Sequence, residues 1–241
     1  AAPFADPFAA PAGDPFAAYF AAVAPQDPDP MVDALNGLAY DAQVPGNHEF
    51  DFGVRFFRRA MNGARYAVVA ANLYGADGTP MFAPYTIIQR GGVKVAIGGL
   101  TTPATLVLDR GPLQGQVRID RIAATAPALL QRLRAEGDIS VVLVHSGLDG
   151  PSSYDTTGIG PEDDAAALAG VAVKPDVVIV GHSHRELRDS VIGGVHFVQP
   201  AAFGRGVAVV HLSLAERGGR WVVTAVHADA VPLDREPDRK S

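Results

Sequence analysis

Apolar positions change their spacing from stretch to stretch, and the changes mark out alternating helices and strands. Met31, Leu35 and Leu38 recur at helical intervals behind Asp29 and Pro30, which predicts a helix over 31–38. The run 40–44 reads as a strand leading into a turn at Asn47-His48. Residues 53–63 read as a helix and 66–71 as a buried strand ending at Asn72. Runs at 85–90 and 94–99, joined by Gly91-Gly92, predict a hairpin. The clearest helix covers 120–136, where Ile122, Ala126, Leu129, Leu130 and Leu133 share a face and Gly137 stops it. A strand at 139–144, a Gly/Ser/Asp-rich loop, a helix over 161–169 and a strand at 176–180 follow. Runs at 195–199, 207–214 and 221–228 read as antiparallel strands. The pattern predicts an α/β fold, either one mixed sheet or two stacked sheets with helices outside.

The ends differ from this middle. Residues 1–14 repeat a degenerate Asp-Pro-Phe-Ala unit, and proline every few residues forbids a continuous helix or a central strand. They read as an irregular arm whose Phe side chains cover apolar surface, followed by a short helix over 15–24. Residues 234–241 read as a polar tail. At 241 residues, with 48% apolar and 19% charged side chains, the chain can bury a full core, and no run reaches the length of a membrane span. The net charge of −6 and the lack of a Lys/Arg cluster exclude a general nucleic-acid surface. Any phosphate-bearing substrate would therefore need metal ions for its counter-charge. The absence of cysteine removes disulfides, thiolate sites and cysteine nucleophiles together. No basic segment followed by a long apolar one opens the chain, and a mature secreted form would look the same, so the compartment stays open.

Chemistry concentrates at three apolar-run ends. These are Gly46-Asn47-His48-Glu49-Phe50-Asp51-Phe52-Gly53, His145-Ser146-Gly147 after 141–144, and Gly181-His182-Ser183-His184 after 177–180. A parallel sheet gathers the carboxyl ends of its strands along one edge, where open α/β folds build their sites. Imidazole nitrogen and amide oxygen suit divalent first-row metals, which makes Asn47, His145, His182 and His184 candidate ligands. His48 carries a carboxylate three residues on, Asp51, and a histidine so held can act as general acid or stabilise developing charge. His196, His211 and His227 sit in alternating strand patterns and read as ordinary strand residues. Asp149, Asp155, Glu162, Asp163 and Asp164 read as a solvated loop and helix start. Asn72 is either a turn former or a cleft residue.

These three segments, in order and spacing, resemble the catalytic domain of calcineurin-like metallophosphoesterases. The branch is that of bacterial 5'-nucleotidases and 2',3'-cyclic-nucleotide 2'-phosphodiesterase/3'-nucleotidases. The likeness extends over about 15–233, which is taken as the domain. It implies a four-layer α-β-β-α sandwich of two mixed sheets, and a metal-dependent hydrolase of nucleotide phosphate esters. It also implies that Asn47, His145 and His182 hold one divalent ion (Mn, Zn, Co or Mg) and that His184 reaches a second. His48 would be the catalytic histidine, oriented by Asp51. A nucleotide or other small phosphate ester would be the partner, with no nucleic-acid polymer and no membrane, in a periplasmic or secreted setting.

The chain also departs from that family. No Asp-x-His precedes residue 46, and without a gap the metal-bridging position falls on Ala9; a local deletion would instead place it at Gly13-Asp14. The first strand-helix unit has no counterpart, and neither does the substrate-selecting domain that usually follows. The alternative expectation is a degenerate, non-catalytic form of the domain binding at most one metal. A third reading, an adaptor using the Pro-rich arm, has only the composition of that arm behind it.

Overall fold

A computed structural model describes residues 29–233, so the arm, the helix expected over 15–24 and the tail at 234–241 lie outside the described residues. Four strands are apolar enough to be covered on both faces, and one border strand on each side closes them off. The order is β4 (Tyr85–Arg90), β5 (Val93–Thr101), β7 (Ile139–His145), β8 (Val177–Val180), β10 (Val195–Gln199) and β9 (Leu187–Ile192). β5, β7, β8 and β10 run parallel, while β4 and β9 are antiparallel borders.

Successive side chains of a strand point to opposite faces, and that alternation builds two cores. Val142, Val144, Val178 and Val180 face the long helix α5 (Ile122–Glu136), meeting Ile122, Ala126, Leu129, Leu130 and Leu133. These five are the apolar stripe read from the sequence. On the other face Val141, Val177 and Ile179 meet Ala208, Val210 and Ala228 of the hairpin β11 (Gly206–Arg217) and β12 (Arg220–Pro232). A helix, a six-stranded sheet and a second β layer are thus stacked as a mixed α/β sandwich.

A smaller core of Phe50, Phe57, Ala70, Leu73, Leu113 and Ile119 lies under the Asn-His turn. Around it are α1 (Pro30–Gly37), α2 (Gly53–Ala60), the short helices α3 (Thr105–Leu108) and α4 (Arg110–Leu113), and two strand pairs. These pairs are β1 (Ala42–Gln43) with β2 (Ala67–Val68), and β3 (Leu73–Gly75) with β6 (Val117–Ile119). Asp29 caps α1, its Oδ1 accepting from the Met31 and Val32 amides at 2.9 and 3.3 Å.

Several expectations are corrected. The strand over 66–71 shrinks to two residues because the next amides change partner: Val69 N–H goes to Gln43, Ala70 to Ala83 and Ala71 to Gly99. The helix over 161–169 is instead a 3-10 segment, Ala165–Gly170. The Asp164 amide is taken by Ser146 Oγ at 2.9 Å, and the Ala165 and Ala166 amides by the Gly147 and Leu148 carbonyls. Those donors cannot also start a helix. Residues 195–199 do form a strand antiparallel to one neighbour, β9, but it is an interior strand whose other neighbour, β8, is parallel. Its partner β9 escaped notice because Arg188 and Asp189 break the apolar pattern. Asn72 neither turns the chain nor lines a cleft: fully buried, it donates to the Thr101 and Asp120 carbonyls and accepts from the Thr101 amide.

Leu133 is 0% exposed between α5 and the sheet. Leu133→Ala should therefore lower unfolding free energy by about 2–5 kcal/mol in urea titration. Val191→Ala, on the border strand and 56% exposed, should change it by less than about 0.5 kcal/mol.

Candidate active site

The shared direction of β5, β7 and β8 brings Thr101, His145 and Val180 to one edge. β7 delivers His145 directly, and β8 runs on through Gly181 to His182, with the Gly181 amide bonded to the Val144 carbonyl at 3.0 Å. Asn47 arrives from the other core, at the start of the 3-10 turn His48–Phe50, where its carbonyl accepts from the Phe50 amide at 2.8 Å. The Gly46 amide is held by the Glu49 carboxylate. Gly46 itself is dictated by contact, since a Cβ there would overlap the His145 imidazole.

The three side chains meet. Asn47 Oδ1 lies 2.9 Å from His145 Nε2 and 3.2 Å from His182 Nδ1. The two rings sit edge to face, 5.1 Å between centroids. Burial, reinforced by the neighbouring His182, pushes the His145 pKa down to about 3, so at neutral pH its ring is uncharged and keeps a lone pair.

His182 and His184 both have positive φ, 69° and 55°. Left-handed backbone costs an ordinary L residue roughly 1 kcal/mol or more. The strain is held in place by the Ser183 amide bonding to Gly181 and by Ser183 Oγ donating to Gln199. It separates the two imidazoles. His182 turns inward; His184 stays exposed, its ring edge-on to Phe203 at 5.0 Å, and among the described residues no hydrogen bond or ring contact joins it to Asn47, His145 or His182, although its charge is felt at His145. His48 stands on the rim with Nδ1 3.1 Å from Asp51 Oδ2 and 3.3 Å from Oδ1. One cleft of about 560 Å³ is lined by Asn47, His48, His145, His182 and His184 together.

Glu162 is a site residue that the sequence reading placed in a solvated loop. Its side chain is buried, with Oε1 2.9 Å from His182 Nε2. Burial works against its charged form, but the Ser153 amide and His182 outweigh that and hold the carboxyl below its ordinary value. Its carbonyl accepts from the hydroxyls of Thr102 and Ser146 at 2.7 and 2.9 Å. Asp163 is likewise drawn in, accepting from the Gly147 amide at 2.7 Å. Nothing periodic marks these residues; their partners are 9 to 60 positions away. His196 pairs with Asp189 and His211 faces His227 across the hairpin, both away from the cleft.

The cleft floor fits one cation. Ligand atoms about 2.1 Å from a shared ion and ~90–109° apart stand about 3.0–3.4 Å from each other, close to the two separations found around Asn47 Oδ1. Among the described residues no group of three or more His, Asp or Glu side chains is arranged for a metal; beside the two imidazoles the third donor atom at this point is the Asn47 amide oxygen. A second ion would need donors that the described residues do not gather around His184.

A proton-linked consequence can be measured in the metal-stripped protein. The His145 ring is uncharged in the fold down to about 3, against an ordinary value of 6.5. Below 6.5 the unfolded chain takes up a proton that the folded chain refuses. Stability is thus complete above about 6.5 and drains away as pH falls toward about 3. Between pH 7 and 5 this group should remove up to about 2 kcal/mol. Urea unfolding in chelator should show His145→Gln losing less than wild type over that interval, and equal losses would refute the assignment.

Residues 18–186 match the family model described as calcineurin-like phosphoesterase. The trifunctional nucleotide phosphoesterase protein YfkN of Bacillus subtilis is 29% identical over 217 residues, 80% of this chain and 15% of that protein. The 2',3'-cyclic-nucleotide 2'-phosphodiesterase/3'-nucleotidase of Haemophilus influenzae is 32% identical over 230 residues, 85% of this chain and 34% of that one. This chain thus spans about a third or less of the length of these relatives. The crystal structure of calcineurin-like phosphoesterase YfkN from Bacillus subtilis superimposes with a TM-score of 0.78 at 25% identity, covering 91% of this chain and 73% of that one. The family pattern covers well over half of the sequence and the fold agrees with it, so the chain belongs to the calcineurin-like phosphoesterases, a family of phosphoric ester hydrolases.

Proposed function

We propose that this chain is the catalytic domain of a divalent-metal-dependent phosphoesterase that hydrolyses nucleotide phosphate esters of the 5'-nucleotidase or 2',3'-cyclic-nucleotide type. The observation that carries the reading is the convergence of Asn47, His145 and His182 on one point, with the His48–Asp51 pair on the rim of the same cleft. The printed names of the relatives, nucleotide phosphoesterases and nucleotidases, supply the substrate class. Against a net charge of −6, a bound cation would supply counter-charge for a phosphate beyond that of Arg185 on the cleft wall.

Asn47, His145 and His182 would hold that cation, which supplies positive charge against the phosphoryl oxygens. Glu162 fixes the His182 ring through Nε2, leaving Nδ1 aimed at the Asn47 oxygen. Asp51 holds His48 at Nδ1, which leaves Nε2 free to hand a proton to the departing alkoxide. The cleft is wide enough for a nucleotide-sized ester and open on one side.

The rival reading, a non-catalytic domain binding at most one metal, draws on the outward position of His184. Elemental analysis after manganese loading bears on the choice: about two ions per chain would exclude the rival, whereas one fits both and leaves turnover to decide. With bis(p-nitrophenyl) phosphate or 2',3'-cyclic AMP as substrate, His48→Ala should lower kcat at least ~100-fold while keeping bound metal. Asn47→Ala and His182→Ala should lose metal and activity together. Hydrolysis by wild type no faster than by His48→Ala would end the proposal.

A further inference from the structure

Asp109 is a buried carboxyl that the reading above does not use. It sits at the joint between α3 and α4, its amide bonded to the Thr105 carbonyl and its own carbonyl accepting from Leu113, both at 3.0 Å. The backbone is therefore fixed from both sides. The residue is 7% exposed, and its buried Oδ2 has no hydrogen-bond donor among the described residues. A buried carboxylate without a donor is costly, on the order of several kcal/mol before it protonates instead. The Asp109 carboxyl lies within hydrogen-bond reach of the Asp51 carboxyl, and the His48 ring acts on it more weakly. Two carboxyls at hydrogen-bond range cannot both be ionised without a large Coulomb penalty, so the pair shares a proton.

We propose that Asp109 is a positioning residue: its carboxyl donates a hydrogen bond to Asp51 and so fixes the carboxylate that orients His48 at the cleft. The catalytic meaning of this chain of contacts rests on the phosphoesterase reading. The Asp51 carboxylate is itself partly open to water, and the other side chain described against it is the still more exposed His48. A donor rooted between two helices supplies the missing restraint. Burial first, and then the Asp51 charge, push Asp109 up to about 7 against a weaker opposing pull from His48, which keeps the shared proton in place near neutrality. Asp51 and His48 are the titratable groups acting on it.

Two measurements on the whole chain test this. Carbon-13 NMR of aspartate-labelled, metal-free protein should show one carboxyl that stays protonated to a midpoint near 7, absent in Asp109→Asn and moved to a lower midpoint in Asp51→Asn. If every aspartate titrates below about 5, the shared proton does not exist and the proposal is overturned. In manganese-loaded protein, Asp109→Leu should lower kcat roughly tenfold with KM nearly unchanged. Asp109→Asn, whose amide still donates, should recover most of that loss. A purely structural role would instead lower the melting temperature of both variants without separating kcat from KM. An active wild type in which Asp109→Leu keeps full kcat overturns the positioning role alone. An inactive wild type whose carboxyl still titrates near 7 sinks the phosphoesterase reading, and with it the catalytic role, but not the shared proton.

Discussion

Thr101 pairs with His145, and Val144 with Val180, in the parallel register that joins β5, β7 and β8. Three backbones therefore stop side by side, and whatever follows them must share one edge. Moving β7 by one residue would turn His145 from the hairpin side toward α5, because side chains alternate between faces. The register is pinned by burial on both sides: Val142 and Val144 have no room except under the helix, and Val141 none except over the hairpin. Site geometry is thus inherited from packing far from any polar group.

Asn47 tightens that inheritance. Its oxygen is the single point that two imidazoles from different strands both approach, and it reaches them from a turn anchored in a separate apolar cluster. The two cores are consequently tied through polar contacts at the edge, and Gly46 sets how near they come. Neither core builds the cleft alone.

The parts legible in the sequence were those whose cause is local. The stripe Ile122, Ala126, Leu129, Leu130, Leu133 follows from helical spacing, and all five are buried. The histidine-bearing strand ends follow from short valine-rich runs stopped by Gly or Ser. Glu162 was read as solvated because Glu-Asp-Asp after a proline is what a helix start looks like. Its burial depends on hydroxyls from Thr102 and Ser146, which no window around 162 contains. The same holds for Asp109, set in Leu-Asp-Arg-Gly-Pro, a stretch with turn chemistry and no hint of Asp51. The inward turn of His182 and the outward one of His184 escape period-two reasoning, since both residues leave the strand region altogether.

Glu162 has one more bearing on how the cleft behaves. Its carboxylate is gripped by the Ser153 amide, and its own amide is gripped by Ser152 Oγ, so the rim loop and the floor imidazole pull on a single side chain. Ser152, Ser153 and Tyr154 border the opening. A guest that leans on this lip transmits force to the His182 ring through two hydrogen bonds, which makes the mouth and the base mechanically one unit.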